Sequence, residues 1–192
     1  QQLQAISITD HEFLSEVENT NLIEIIPGVE MSVSWYDLEL ENPFAGIHLL
    51  IYFLKKDTPI YELLSKIRIE KKNRNYEILE KLKKVGVEIE RKELDDLETK
   101  VPGRPHIANL MKSKGYVASL NEACKEYLGN GKVGDSRIHQ NPIEEVIDCA
   151  KESKCLVFLA HPHTLMSNKD YSFSKNWYDS VFVERLGSLK NL

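Results

Sequence analysis

The most regular pattern in this chain of 192 residues is the alternation over 28–35, with Val29, Met31, Val33 and Trp35 on one side and Glu30, Ser32 and Ser34 on the other. A period of two predicts a strand whose odd-numbered residues face a core. Glu30 then stands on the opposite side, at the inner face of a barrel or the mouth of a sheet. A carboxylate there needs a partner, because burying it bare is costly. Short apolar or β-branched runs predict further strands at 5–9, 23–26, 47–53 and 155–160, with Pro27-Gly28 as a bend and Asn42-Pro43 as a turn. Asp10-His11 follows the first of these strands, His48 interrupts another, and His161 directly follows the last. Phe13, Leu14 and Val17 then show helical spacing, so Asp10-His11 is expected where a strand hands over to a helix, the ligand end of α/β folds.

From Pro59 the period changes. Leu64, Ile67, Ile78, Leu82 and Val85 predict a long helix stopped at Gly86, and residues 87–99 are acidic and poorly periodic. Gly103-Arg104-Pro105-His106 opens another helix, with Pro105 suited to its start and Gly115 to its end. A helix from Ser119 to Gly129 is expected from the capping pair Ser119 and Glu122. Asn141 is expected to cap a helix whose apolar stripe is Ile143, Val146, Ile147 and Ala150. Helix, buried strand and His161 repeat the logic of the chain's start, and in a parallel sheet both histidines would emerge at one rim. After Trp177 a last helical pattern runs through Val181, Phe182, Leu186 and Leu189.

The length suits one sizeable core, or a core with a small subdomain. The balance of 25 Lys+Arg against 30 Asp+Glu gives a net charge of -5. That argues against long duplex nucleic acid as a partner but permits a local basic pocket. No apolar run reaches the roughly 20 residues of a membrane span, and no basic-then-apolar leader precedes the first strand, so a cytoplasmic location is expected. Cys124, Cys149 and Cys155 lack CxxC spacing and sit among apolar neighbours, which predicts buried thiols in a reducing compartment.

Imidazole and carboxylate groups together suit zinc, manganese or iron, and the candidate ligands are His11, Glu30, His48 and His161. For any one histidine a hydrogen-bonded structural role is the commoner one. Their joint placement at strand positions favours a metal site, whose ions would polarise a phosphoryl oxygen and generate hydroxide near neutral pH. Arg104 and His106 stand at a helix start, where backbone N–H groups and the helix dipole favour an anion. Arg68, Lys71, Lys72 and Arg74 charge one helix. A solvated face is the usual explanation of such a run, and Arg68 or Arg74 is a candidate contact for a substrate phosphate. His139 and His163 are read as ordinary loop residues. A serine or cysteine nucleophile is poorly supported, since there is no Gly-x-Ser-x-Gly elbow and no cysteine beside a plausible base.

Five motifs in order, Ile-Thr-Asp-His (8–11), Pro-Gly-Val-Glu (27–30), His-Leu-Leu-x-Tyr (48–52), Gly-Arg-Pro-His-Ile-Ala (103–108) and Ala-His-Pro (160–162), resemble the polymerase and histidinol phosphatase (PHP) family. Their order and spacing are similar to the branch of metal-dependent phosphoesterases acting on nucleoside 3',5'-bisphosphates and on the 5' ends of short RNA. The resemblance implies an α/β fold, part of a distorted seven-stranded β/α barrel with a helical insertion: barrel over 1–57, insertion over 58–136, barrel continued over 137–192. It implies His11, Glu30, His48 and His161 as metal ligands, and Arg104 and His106 as substrate-phosphate contacts. Asp10 and His106 become the catalytic candidates, Asp10 by orienting its neighbours. The implied cofactors are divalent ions (Mn, Zn, Fe or Mg), two or three in the complete protein, and the implied substrate is a small phosphorylated nucleotide or short RNA.

Two departures stand out. The family's opening His-x-His and closing Asp-x-His lie outside the match, so truncation at both ends is expected, and Glu12-Phe13 stands where the family more often has Asp-Thr. Two other readings compete: a PHP phosphatase of the histidinol-phosphate type, and a non-catalytic, metal-poor PHP module should the complete gene lack those end motifs.

Overall fold

The computed structural model describes residues 3–20, 22–37, 42–136 and 141–161, with the side chains of 35–37 and 42–46 excepted. The predicted helix after Trp177, His139, His163 and the side chain of Trp35 lie outside the described residues. The chain divides into two compact units, 1–64 with 140–192 and 65–139.

In the first unit, two short strands, β1 (Ala5–Ile6) and β2 (Glu24–Ile25), pair in parallel. The alternating stretch becomes a ten-residue strand, β3 (Gly28–Asp37), antiparallel to β4 (Asn42–Tyr52). With β5 (Asn141–Pro142) and β6 (Leu156–Leu159) they form a four-stranded sheet in the order β5-β3-β4-β6. The period-two reading holds in the burial: Val29, Met31 and Val33 are buried on β3, and Ile47, Leu49 and Ile51 on β4. The helix α5 (Ile143–Glu152) buries Ile143, Val146 and Ala150 and packs against β3, β5 and β6. The described strands thus form a mixed α/β arrangement of one four-stranded and one two-stranded sheet, and a seven-stranded barrel is not seen among them.

Four local expectations are corrected. The sheet is mixed rather than parallel, since β4 runs antiparallel to both β3 and β6. Asn42-Pro43 is no turn, because the ladder continues through it, opposite Asp37 and Tyr36. Asn141 does not cap α5, because its backbone pairs with Val33 at the edge of β3. Phe13, Leu14 and Val17 form no helix. Residues 10–12 are instead drawn alongside β3, and Glu12 takes a left-handed φ of 47° that a growing helix cannot accommodate.

The long helix, α1 (Pro59–Lys83), begins in the first unit and continues into the second, ending just before Gly86. In the second unit it is followed by α2 (Arg91–Asp95), α3 (Arg104–Ser113) and α4 (Leu120–Ala123), the last running into one π-helical turn, Cys124–Leu128. Ser119 caps α4 as its spacing predicts, with its Oγ accepting the Glu122 N–H at 3.1 Å. Gly115 follows α3 at φ +79°, the left-handed conformation that glycine adopts without penalty. Ile78, Leu82, Leu94, Ile107 and Met111 anchor this unit's core, together with Val87 and Ile89. The stretch 87–99 therefore supplies core residues that its weak period concealed. Cys124 is exposed, against the expectation of burial, whereas Cys149 and Cys155 are partly buried. Among the described residues no helix is long and apolar enough to cross a membrane.

Candidate metal centre

The polar side of β3 and β4 carries the site. Glu30 lies opposite Leu50, and His48 lies opposite Ser32, so the two are diagonal neighbours on one face of an antiparallel pair. Diagonal neighbours are within reach of long side chains, and His48 Nδ1 stands 2.8 Å from Glu30 Oε1.

Two more segments bring ligand atoms to the same carboxylate. Residues 10–12 lie along the edge of β3: the Glu30 N–H donates to the Asp10 carbonyl at 3.1 Å, and the Glu12 N–H donates to the Glu30 carbonyl at 2.9 Å. His11 is thereby held beside Glu30, with its Nε2 3.9 Å from Glu30 Oε2. Gly28 permits this approach, because a Cβ there would collide with the Ser7 hydroxyl and crowd Thr9. On the other side β6 runs along β4, the Ala160 N–H donates to the His48 carbonyl at 2.9 Å, and His161 follows directly. His161 adopts φ 32°, an uncommon conformation for a residue with a side chain, and its Nε2 reaches Glu30 Oε1 at 2.9 Å and His48 Nδ1 at 3.0 Å.

Hydrogen bonding alone does not satisfy this cluster. His48 Nδ1, His161 Nε2 and Glu30 Oε1 are mutually 2.8 to 3.0 Å apart, yet each ring nitrogen carries at most one proton. With both nitrogens protonated the N···N contact is repulsive. With only one protonated, a lone pair is left facing the carboxylate. A cation at the centre suits all three atoms, and ligand atoms about 2.1 Å from one ion stand about 3 Å apart when they subtend a right angle. His11, Glu30 and His48 form a second overlapping trio, with ligand atoms all within 4.8 Å of one another. Glu30 joins the two trios, one carboxylate oxygen toward His48 and His161 and the other toward His11.

The electrostatics agree with this donor set. Burial pushes the Glu30 carboxyl up, but the hydrogen bond from His161 and the charges of His11 and His48 outweigh it and hold the group below the usual carboxylate range. Burial holds His48 below the ordinary imidazole value, against the pull of Glu30. An ionised carboxylate, and for His48 a bias toward the neutral ring, are the forms in which these two groups bind a metal.

Asp10 is exposed, and its Oδ2 accepts the Ser15 hydroxyl at 2.5 Å. A residue that the sequence singled out only as a family departure proves structural. Glu12 is 1% exposed, and its Oε1 accepts the Ser32 N–H at 3.1 Å. The one signal for it was an acidic residue beside a ligand histidine.

The remaining candidates lie in the second unit. Arg104 opens α3, and its Nη1 donates to the Leu128 carbonyl at 3.4 Å. The Gly103 N–H donates to His106 Nδ1 at 3.1 Å, so a neutral His106 carries its proton on Nε2. Arg74 Nη2 donates to Asn75 Oδ1 at 3.4 Å, and Asn75 Nδ2 donates to the Pro102 carbonyl at 2.7 Å. Arg68 lines a cavity within this unit.

No family model matches the chain. It is similar to a 5'-3' exoribonuclease from Haemophilus influenzae, 24% identical over 191 residues, which cover 96% of this chain and 65% of that protein. In fold it resembles an amidohydrolase from Chromobacterium violaceum, solved with bound sulfate and no metal, at a TM-score of 0.65 and 18% identity over 96% of this chain and 63% of that one. It also resembles a protein from Bifidobacterium adolescentis assigned as a metal-dependent phosphoesterase, at a TM-score of 0.66 and 16% identity over 98% of this chain and 64% of that one. The chain thus spans just under two thirds of the length of each of these proteins, and what it shares with the two solved structures is an α/β fold.

Proposed function

We propose that this chain belongs to a metal-dependent phosphoesterase of the PHP type, acting on phosphate esters of small nucleotides such as nucleoside 3',5'-bisphosphates or on the 5' ends of short RNA. The observation that carries the reading is the convergence of His11, His48 and His161 on the two oxygens of Glu30. The names of the relatives support it: an exoribonuclease acts on RNA, and a phosphoesterase shares the fold. In this reading the two sheets are parts of the distorted seven-stranded barrel, and residues 58–136 are its helical insertion.

His11, Glu30, His48 and His161 would hold divalent ions, with Glu30 supplying the negative charge. Such ions, when bound, supply positive charge to a phosphoryl oxygen and acidify water near neutral pH. The chain's own residues do the rest. Glu30 keeps its charge because three histidines surround it. Residues 10–12 fix His11 by backbone bonds to β3, and Asp10 steadies that segment through Ser15. Arg104, His106, Arg68 and Arg74 would supply contacts to substrate phosphate, His106 through its Nε2–H.

The test uses the complete protein with added Mn²⁺. Release of phosphate from a nucleoside 3',5'-bisphosphate, or of mononucleotides from short 5'-phosphorylated RNA, is the expected result. Absence of both products in a protein that binds metal would sink the reading, and preferential turnover of histidinol phosphate would replace it with the other phosphatase.

A further inference from the structure

We propose that a cavity wholly inside the second unit is a binding pocket for a phosphorylated nucleoside, either free or as one unit of a short single-stranded oligonucleotide. The cavity has a volume of about 410 Å³ and is walled by α1 on one side and by residues 94–102 on the other. Small-molecule sites usually fall between about 300 and 1,000 Å³. This one is large enough for a mononucleotide and too small for a duplex.

Its charge is the reverse of the chain's. Arg68, Lys71, Lys72 and Lys100 line it, against one carboxylate, Asp95, in a protein whose net charge is -5. Asp95 is also shared, since it accepts the Tyr76 hydroxyl at 2.6 Å and pairs with Lys72 at 3.2 Å. Among the lining residues cations thus outnumber carboxylates four to one. A charged helix face open to solvent would not be walled in this way. Here the buried Asn75 ties α1 to the Pro102 carbonyl, which holds the opposite wall in place before any ligand arrives.

The rest of the lining is apolar or aromatic. Ile69 stays 62% exposed at the cavity, Leu94 and Pro102 add carbon surface, and the Tyr76 ring has Lys72 Nζ 5.5 Å and the Arg91 guanidinium 4.9 Å from its centroid. A bare inorganic anion leaves that surface unused. A phosphate ester carrying a flat base uses both kinds of wall, the cations for the phosphate and the aromatic and apolar groups for the base. The inference shares its nucleotide class with the phosphoesterase reading but not its chemistry, since nothing in this pocket requires a metal.

Binding is measured on the full chain in EDTA, where metal-dependent turnover is absent. The probe is a fluorescent single-stranded RNA of a few nucleotides, with adenosine monophosphate and inorganic phosphate as competitors. RNA binding that adenosine monophosphate displaces and inorganic phosphate does not is expected. The double substitution Lys71→Glu with Lys100→Glu should weaken it about 10-fold or more and lower the salt dependence, by about 0.7 in the log-log slope for each phosphate no longer neutralised. Unchanged affinity in a double variant of wild-type melting temperature would overturn the pocket. Equal displacement by inorganic phosphate would overturn the nucleoside assignment. Should the variant fail to fold, crosslinks from a photoreactive RNA on the wild-type chain decide: attachment within 65–102 supports the pocket, and attachment elsewhere removes it. Because hydrolysis is assayed separately with Mn²⁺, binding without turnover counts against the phosphoesterase alone, and turnover without binding in EDTA counts against the pocket alone.

Discussion

Glu30 and His48 touch without being paired: the ladder sets Glu30 opposite Leu50 and His48 opposite Ser32, and the 2.8 Å contact between their side chains runs diagonally across the polar face of two antiparallel strands. A diagonal contact depends on the register, since a slip of one residue would turn either side chain into the core. The buried rows of Val29, Met31 and Val33 and of Ile47, Leu49 and Ile51 hold that register. Core packing therefore sets the position of the site.

Glu30→Gln is the direct test of that carboxylate. The amide keeps the shape but loses the charge that three histidines surround, so bound metal should fall by about 10- to 100-fold in affinity while the melting temperature of the metal-free protein changes little. Metal analysis with a parallel thermal scan checks both. Wild-type stoichiometry in the variant would remove Glu30 from the ligand set.

Much of this site was legible because its parts sit on strands whose period is unmistakable. Glu30 falls on the polar side of a regular alternation, His48 interrupts an apolar run, and His161 ends one. The relation among them was not legible, because the sheet's direction depends on which strands become neighbours, and an apolar run such as 155–160 is equally compatible with parallel and antiparallel pairing. The segment after His11 departs from its local pattern for a related reason. Phe13, Leu14 and Val17 do have helical spacing, but pairing of residues 10–12 with β3 prevailed over a local preference that is weak by nature. The core contribution of 87–99 is not visible in the sequence because Val87, Ile89 and Leu94 share no single period.

Arg104 and His106 separate binding from scaffolding. The Arg104 bond to the Leu128 carbonyl is long, at 3.4 Å, so Arg104→Ala should cost the fold only about 0.5–1 kcal/mol. If the residue holds a substrate phosphate, the same change should lower kcat/KM by roughly 10- to 150-fold, mostly through KM. His106→Ala also removes the acceptor for the Gly103 N–H, and about 1 kcal/mol of stability should go with it. Urea titration beside steady-state kinetics distinguishes the two. Unchanged kcat/KM with lowered stability for both variants would assign this helix start to the scaffold.

Acid should weaken the second unit through Glu93. The Lys114 ammonium and then the Glu90 backbone N–H hold the Glu93 carboxyl below the usual carboxylate value. A depressed folded value means that the unfolded chain binds the proton first. The contribution is therefore complete above the unfolded pKa of about 4.3 and is lost as pH falls through the folded value. Glu93→Gln should melt lower than wild type at pH 7, and the gap should close as the pH is taken well below 4. A gap that stays constant down to pH 3 would show that the carboxylate's charge contributes nothing.

Glu12 offers a sharper test of how the first unit builds its metal centre. Its carboxylate is 1% exposed and accepts the Ser32 N–H, while its own N–H donates to the Glu30 carbonyl. One residue thus fastens the His11 segment to β3 at two points, the Glu30 carbonyl and the Ser32 N–H. Glu12→Ala leaves the Ser32 N–H without its side-chain acceptor, which should cost about 1–3 kcal/mol. It should also loosen His11, so metal affinity should drop even though no proposed ligand has been removed. Glu12→Gln retains a carbonyl oxygen that can accept the same bond, and it should recover most of the metal affinity with part of the stability. Titration of both variants with Mn²⁺ by calorimetry, alongside urea unfolding, supplies the comparison. Equal metal affinity in wild type and Glu12→Ala would show that His11 is held by the backbone ladder alone, or that it is no ligand, and His11→Ala in the same titration tells these two apart.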